Sequence, residues 1–347
     1  MQPEITTVIT KLFETLSLGE VTLPLVSVSG GFMHRMYKVT VGRKTYAVKH
    51  LNPEIMKRPG AMDNYKKAEA LEAILEKSRI PIVSAITFNE KKMQEIDGEF
   101  FYIFNWHKGN ITDWNNITPE QCWKAGNLQG RIHAITTENI ASVTQKSRTP
   151  EFNTINWNEY LSQATTDAMK TDPSILNTHS KEVASLLKEN LPLLNYAQTE
   201  LNKARKSLPD ITTIIDEDMD PKNVMWENGQ PLVIDLECLD YGNPVSSAIQ
   251  LSLQWSGITL CDFDAEKQKA FFQGFLASYV NGFRDYKSVF GLTYTWIEWL
   301  EYNIQRALGA CQDQTEQKMG LAEIKNTINR IKYIREMEDK IKSNLRF

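Results

Sequence analysis

Hydrophobic and polar positions alternate with two different periods at the start of the chain. Residues 4–16 carry apolar side chains at helical spacing, which predicts an amphipathic first helix. Three runs rich in β-branched and aromatic residues follow at 23–29, 36–41 and 45–51, with short glycine-containing turns between them. The pattern therefore predicts three consecutive strands after the helix.

One more helix and two more strands complete this region. Residues 60–79 have the pattern of a helix, and residues 82–88 and 100–106 have the composition of strands. We therefore predict a first domain at residues 1–106, built from a small antiparallel sheet and one key helix and serving as a nucleotide-binding lobe.

Long helical patterns dominate from about residue 110. Thr118, Pro119 and Glu120 give a helix start, and that helix is expected to run to about residue 136. Further helices are expected at residues 157–170, 180–205, 244–256, 265–283, 293–310 and 321–341. The predicted class is therefore α+β, with a larger, mainly helical second domain at residues 107–347 that carries the catalytic loop and the acceptor site.

Composition excludes several classes of protein. The four cysteines show no C-x-x-C spacing, so neither a zinc site nor a disulfide framework is indicated. The N-terminus lacks the pattern of a signal peptide, and no apolar run reaches the ~18 residues of a spanning helix. These observations predict a cytoplasmic protein without a membrane partner.

The charge is distributed unevenly along the chain. Residues 1–106 hold 14 Lys and Arg against 12 Asp and Glu, whereas residues 107–347 hold 25 against 31. The acidic second region argues against nucleic acid as a partner and is compatible with a cationic small molecule. A merely solvated acidic surface explains the same numbers.

One β-rich segment, residues 211–237, interrupts the helical region. Two short apolar strands flank an Asn228-Gly229 turn and predict a hairpin. Residues 210–240 contain nine acids and one base, Lys222. Because neighbouring carboxylates raise each other's pKa, such density favours a bound cation, and oxygen ligands suit Mg²⁺.

Three motifs occur in order along the chain: Tyr46-Ala-Val-Lys49, Asp218-Met-Asp-Pro-Lys-Asn223 and Ile234-Asp-Leu-Glu237. With them the sequence resembles the aminoglycoside phosphotransferase family, which has a protein-kinase-like two-lobed fold. The resemblance implies that Asp218 is catalytic and orients the acceptor hydroxyl. It further implies that Asn223 and Asp235, with Glu237 on the same strand face, hold the Mg²⁺ that bridges the phosphates of ATP or GTP.

The resemblance also implies a nucleotide-binding set in the first domain. Lys49 would hold the α- and β-phosphates and pair with Glu69, or alternatively with Glu72 one helical turn later. Ser29, Gly30 and Gly31 form a turn whose backbone N–H groups could approach phosphates. The residues Phe104, Asn105 and Trp106 match the hinge whose backbone reads the purine edge.

Two departures from the family pattern affect the interpretation. Asp216 occupies the position that usually holds a histidine, and an ionised aspartate accepts hydrogen bonds but cannot donate one. After Asp235 the chain starts a new helix near residue 243 without the activation loop of protein kinases, which favours small molecules over protein substrates.

These observations predict transfer of the γ-phosphate of ATP or GTP to a hydroxyl of a small molecule, such as an aminoglycoside-like or other antibiotic. A metabolic kinase for choline, a sugar or an amino alcohol would use the same motifs. A nucleotide-binding regulator with weakened catalysis is the third hypothesis, motivated by Asp216.

Overall fold

The computed structural model describes residues 4–28, 34–135, 154–169, 175–280, 282–310 and 313–345. The chain divides into two compact units. The first comprises Met1–Asp113 with Asp216–Asp240, and the second comprises Trp114–Ile215 with Tyr241–Phe347. A small antiparallel sheet lies in the first unit and the second is mainly helical, so the predicted α+β class is confirmed. The functional assignment of residues 1–106 and 107–347 stays a prediction.

The first unit is built on a five-stranded antiparallel sheet. Its strands follow the order β1-β2-β3-β5-β4, with β3 at the centre between β2 and β5. In chain order the elements are α1 (Ile5–Thr15), β1 (Thr22–Val28), β2 (Arg35–Val41), β3 (Lys44–His50), α2 (Pro53–Met56), α3 (Ala61–Lys77), β4 (Gln94–Ile96) and β5 (Glu99–Asn105).

Helix α1 covers the sheet with its apolar face. Val8, Ile9, Leu12 and Phe13 are buried in one cluster with the inward side chains of β2, β3 and β5. The predicted spacing of apolar residues in the first helix is therefore explained by burial against the sheet.

One predicted strand, residues 82–88, does not form a ladder. The N–H of Val83 donates to Val233 O at 2.8 Å, whereas Ala85 bridges to Phe104 on β5. Because the segment divides its hydrogen bonds between two partners, it forms only isolated bridges. The edge strand beside β5 is instead β4.

The hairpin predicted at the Asn228-Gly229 turn is confirmed. Strands Val224–Glu227 and Gln230–Val233 pair, and the short strand Asn110–Ile111 adds to them. Asn228 and Gly229 both have positive φ, at 52° and 73°, as a two-residue hairpin turn requires. Short 3₁₀ turns, Pro221–Asn223 and Leu236–Cys238, precede and follow the hairpin.

The helices of the second unit surround one apolar core. They are Pro119–His133, Trp157–Ala168, Ile175–Lys206, Pro244–Trp255, Ala265–Ser278, Trp296–Gln305, Gln314–Glu336 and Glu338–Asn344. Thr118 and Gln121 form a capping box at the first of these, as its start pattern predicts. Short strands Thr213–Asp216 and Leu239–Gly242 lie where the chain passes between the units.

Three helix boundaries differ from the prediction. The helix expected over 265–283 ends at Ser278. The one expected over 293–310 is a 3₁₀ turn, an α-helix and a π turn in succession, and the last helix is interrupted at Met337. Apolar periodicity continues through the second and third of these breaks because residues on both sides of them remain buried, and so it does not reveal them.

Two glycines bring helices Pro119–His133 and Ala265–Ser278 into backbone contact. A methyl group at Gly126 would lie 2.0 Å from the carbonyl oxygen of Phe271, and one at Gly274 would lie 1.9 Å from that of Trp123. Only glycine permits this approach. In the part of the chain that the structure describes, no helix combines the length and apolarity needed to cross a membrane.

Candidate active site

Lys49 is a buried cation in the centre of the sheet of the first unit. It lies on β3 opposite Met36 and Tyr102 and is only 5% exposed. Its Nζ lies 2.7 Å from Asp235 Oδ1 and 2.6 Å from Glu237 Oε1. Burial alone would lower the pKa of Lys49, but the Glu237 and Asp235 carboxylates outweigh it and raise the pKa.

Asp235 and Glu237 come from the 3₁₀ turn that follows the hairpin. Asp235 has φ 62° and ψ 64°, a left-handed conformation that is uncommon for a residue other than glycine and is often found at functional sites. The N–H of Ile234 donates to Asn223 O at 2.9 Å, which holds the chain before Asp235 against Asn223. The two residues expected to bind metal therefore come from adjacent backbone segments.

His34 is a functional candidate that sequence reasoning missed. Its Nδ1 accepts a hydrogen bond from Asn52 N at 3.0 Å, so the ring proton lies on Nε2, which is 3.1 Å from Glu237 Oε2. Lys49 and His34 thus engage both carboxylate oxygens of Glu237 and lower its pKa, although burial acts in the opposite direction. A signal present in the sequence was the position of His34 three residues after Gly31.

The carboxylate partner of Lys49 differs from the sequence prediction. Glu69 on α3 accepts hydrogen bonds from the Tyr102 hydroxyl at 2.8 Å and from Met93 N at 3.2 Å. Lys49 forms its ion pairs with Asp235 and Glu237 instead of Glu69. Tyr102 stands opposite Lys49 in the β-ladder and is the group that engages Glu69.

Glu72, the alternative partner, is also engaged elsewhere. Its Oε1 lies 2.8 Å from Lys92 Nζ and accepts from Ala85 N at 3.0 Å. Glu69 and Glu72 nevertheless line the same cavity of about 30 Å³ as Lys49 and Asp235. The role of Glu69 in holding nucleotide stays a prediction.

The loop before the hairpin brings Asp218 and Asn223 together. Asn223 Nδ2 donates to Asp218 Oδ2 at 2.9 Å and to the Asp218 backbone oxygen at 2.8 Å. The five-residue spacing thus returns the chain on itself. Because Nδ2 is used in these two bonds, the Oδ1 of Asn223 is the side-chain atom suited to a metal ion.

Asp216 stabilises the loop by a hydrogen bond to its backbone. Its Oδ1 accepts the N–H of Asp218 at 3.1 Å, so this aspartate does brace the loop through the backbone. It is only 2% exposed, and burial, together with the nearby Asp218 and Asp235 charges, raises its pKa well above the usual range. The raised pKa shifts Asp216 towards its protonated form, which, unlike the ionised form, can donate a hydrogen bond.

Lys222 is the second residue whose part in the site was missed. Its Nζ contacts both Asp218 and Asp220. Burial acts to lower the pKa of Lys222, but Asp220 and Asp218 outweigh it, so the pKa is raised and the side chain is a cation. A lone base among nine acids was a signal present in the sequence.

The hinge candidates lie at the end of β5. Phe104 and Asn105 pair with Ala47 and Tyr46 of β3, and Phe104 lines the cavity beside Lys49. Trp106 follows the strand, and Lys38 Nζ lies 4.6 Å from the centre of a Trp106 ring. Ser29, Gly30 and Gly31 lie outside the described residues.

The donor groups fit magnesium. Asn223, Asp235 and Glu237 offer amide and carboxylate oxygens, the ligand types that Mg²⁺ takes along with water and phosphate. Within the described ranges, no group of three or more His, Cys, Asp or Glu side chains is arranged to hold a metal. A metal at this loop would therefore complete its ligands from phosphate oxygens and water.

Several solved structures share this fold. Spectinomycin phosphotransferase APH(9)-Ia, in complex with ADP and spectinomycin, is 14% identical, with 95% of this chain and 98% of that chain covered and a TM-score of 0.69. An ethanolamine kinase from Plasmodium vivax is 16% identical, covering 88% and 81% at a TM-score of 0.58. Choline kinase LicA from Streptococcus pneumoniae is 14% identical, covering 94% and 99% at a TM-score of 0.53.

These similarities confirm the predicted protein-kinase-like fold. None of the curated protein sequences matches the chain significantly. The sequence profile of APH, the phosphotransferase enzyme family, matches residues 25–289, which is more than half of the chain. The chain therefore belongs to the phosphotransferase enzyme family.

Proposed function

We propose that this protein transfers the γ-phosphoryl group of ATP or GTP to a hydroxyl of a small molecule in a magnesium-dependent reaction. The observation that carries the proposal is the grouping, within one compact unit, of a buried lysine, Lys49, with Asp235 at 2.7 Å, and of Asp218 with Asn223 at 2.9 Å. Phosphoryl transfer requires positioning and charge neutralisation more than covalent help from the protein, and this set supplies both.

In this proposal the first unit holds the nucleotide. Lys49 binds the α- and β-phosphates, supported by Glu69 or by Glu237. The turn at Ser29, Gly30 and Gly31 offers backbone N–H groups to the same phosphates. The backbone at Phe104, Asn105 and Trp106 contacts the base; this hinge lies at the end of the strand that pairs with the Lys49 strand.

Asn223, Asp235 and Glu237 are the proposed metal ligands. When bound, Mg²⁺ neutralises charge on the phosphate oxygens and orients them. Asn223 is aligned for this role by its two hydrogen bonds to Asp218, and Asp235 by its left-handed backbone.

Asp218 is the proposed catalytic residue. It accepts the hydrogen bond, and then the proton, of the incoming hydroxyl. The hydroxyl oxygen forms the new bond to the γ-phosphorus while the bond from that phosphorus to the nucleoside diphosphate breaks. The diphosphate leaves with the electron pair of the broken bond. Asp218 is suited to this because Asn223 fixes its carboxylate while 37% of its side chain remains exposed.

A small molecule is the proposed acceptor. Helix Pro244–Trp255 begins seven residues after Glu237, which leaves no long loop for docking a polypeptide. The similar proteins of known structure are named as kinases or phosphotransferases for spectinomycin, ethanolamine or choline. Since residues 107–347 carry a net charge of −6, a cationic acceptor of the aminoglycoside, choline or amino-alcohol kind is favoured.

The direct test is label transfer. The protein would be incubated with γ-labelled ATP or GTP, Mg²⁺ and a panel of aminoglycosides, spectinomycin, choline, ethanolamine and sugars. We expect the label to appear in one acceptor class, and Asp218→Asn to reduce that rate by ~10²–10⁴ at unchanged nucleotide affinity. Full transfer by the Asn variant would remove Asp218 from its role. Tight nucleotide binding with no transfer to any acceptor would support the regulator hypothesis instead.

A further inference from the structure

Lys222 is the one basic residue in a segment of nine acids, residues 210–240. Its Nζ lies 2.9 Å from Asp218 Oδ1 and 2.8 Å from Asp220 Oδ2. The lysine therefore joins the proposed catalytic carboxylate to a second carboxylate in the same loop.

Asp220 fixes the position of this lysine. It caps the turn Pro221–Asn223, and its Oδ1 accepts the backbone N–H of Lys222 at 3.0 Å while its Oδ2 binds the ammonium group. The Asp220 side chain is 10% exposed and that of Lys222 is 45% exposed. The nearly buried carboxylate of Asp220 thus binds both the backbone N–H and the ammonium group of Lys222. The Lys222 side chain is therefore held in place and does not move freely in solvent.

Asp218 is in turn held from two sides. Lys222 Nζ donates to Oδ1, and Asn223 Nδ2 donates to Oδ2. Two donors on different oxygens fix the carboxylate plane and leave its remaining lone pairs for an incoming hydroxyl. Asn223 alone would fix only one oxygen.

We propose that Lys222 is a positioning residue for phosphotransfer, which holds Asp218 Oδ1 in place and compensates the negative charge of the loop beside the transferred group. The inference rests on the proposed function. It differs from an ordinary exposed ion pair four residues apart, which contributes little to any property.

The test uses hydrolysis of γ-labelled MgATP in single-turnover experiments, with water as the acceptor. Lys222→Met should lower the rate roughly tenfold, the effect of losing one charge-assisted hydrogen bond, with MgADP affinity unchanged within about twofold. Lys222→Arg, which keeps the charge, should recover most of the rate. Lys203→Met is the matched control, because Lys203 Nζ makes a 2.7 Å pair with Glu200 three residues away.

The decisive comparison repeats Lys222→Met in an Asp218→Asn background. If Lys222 acts through Asp218, the second substitution should have almost no further effect. An equal tenfold loss in both backgrounds would overturn the inference, as would an unchanged rate for Lys222→Met with Asp218 intact. If the parent protein hydrolyses MgATP no faster than buffer, the same variants are compared in label transfer to the acceptor identified above, with the same expected ratios. Failure of the parent protein to transfer label to any acceptor would remove the proposed function, whereas transfer that is unaffected by Lys222→Met would overturn only this inference.

Discussion

The acidic loop of the first unit, residues 216–223, and one pair of helices in the second unit are held together by different kinds of interaction. In the loop and the turn after the hairpin, four carboxylates (Asp218, Asp220, Asp235 and Glu237) pair with two lysines, and a fifth, Asp216, accepts a backbone N–H. Helices Pro119–His133 and Ala265–Ser278 meet instead through glycines and buried aromatic rings. The first arrangement is electrostatic and the second is steric.

We expect this difference to separate the effects of substitutions on stability from their effects on turnover. Burying charged groups is unfavourable unless each finds a partner, and apolar residues would stabilise a fold at least as well. Lys49 on β3 is nevertheless almost fully buried beside Asp235 and Glu237, and the carboxyl group of Asp216 is almost fully buried in the loop. Substitutions should therefore damage stability in the helix pair and turnover in the loop.

The largest effect is expected at the helix contact. Gly274→Ala places a methyl group 1.9 Å from the Trp123 carbonyl oxygen, and so the helices must separate. We expect a loss of about 3 kcal/mol in the free energy of unfolding, measured by urea denaturation. Gln273→Ala, at an exposed position on the same helix, is the control and should change stability little. Equal effects of the two substitutions would show that the contact is not tight.

A smaller effect is expected at the carboxylates around Lys49. Glu237→Gln removes the charge 2.6 Å from Lys49 Nζ and should raise the Michaelis constant for MgATP and lower turnover, each by roughly tenfold. Glu69→Gln should have a milder effect, because Glu69 is engaged by Tyr102. Steady-state kinetics of both variants will show which carboxylate contributes more to nucleotide binding and turnover. A larger effect of Glu69→Gln would restore the pairing that the sequence predicted.

The smallest effect on turnover is expected for Asp216→Asn. A protonated aspartic acid and an asparagine have similar shape, and the bond from Asp218 N can form with either, so we expect turnover within roughly threefold of the parent. Asp216→His, which installs the residue usual in the family, provides the comparison. A loss as large as that expected for Asp218→Asn would show that Asp216 acts as an anion.

Asp216→Asn should also change how the free energy of unfolding depends on pH. The pKa of Asp216 is raised in the folded protein, so the stability contribution of its protonated form is fully present below the unfolded pKa of ~3.9. That contribution is lost as the pH rises through the folded pKa. Urea denaturation from pH 4 to neutral pH should show this decline in the parent and not in Asp216→Asn. Parallel curves would contradict a raised pKa for Asp216 in the folded protein.

Local patterns in the sequence were enough to predict much of the fold and the loop. Apolar periodicity gave the helix on the sheet and most later helices, and the Asn228-Gly229 pair gave the hairpin. The spacing of Asp218 and Asn223 gave their contact, because five residues with a proline turn bring the chain back.

Choices between distant partners could not be predicted in this way. Lys49 contacts carboxylates 186 and 188 positions away rather than Glu69, and the Tyr102 hydroxyl engages Glu69. The raised pKa of Asp216 depends on burial and on several nearby charges, which only the folded chain assembles. The assigned roles of the site residues stay predictions.

The central claim is that the acidic loop and the turn after the hairpin bind a magnesium-nucleotide complex. Calorimetry of ADP binding with and without Mg²⁺ tests this claim most directly. In the parent protein, affinity should rise markedly when Mg²⁺ is added. In Asp235→Asn the magnesium-dependent part should disappear, while binding without metal persists because Lys49 and the strand beside it are intact. Equal affinity of the parent protein for ADP with and without Mg²⁺ would contradict the account.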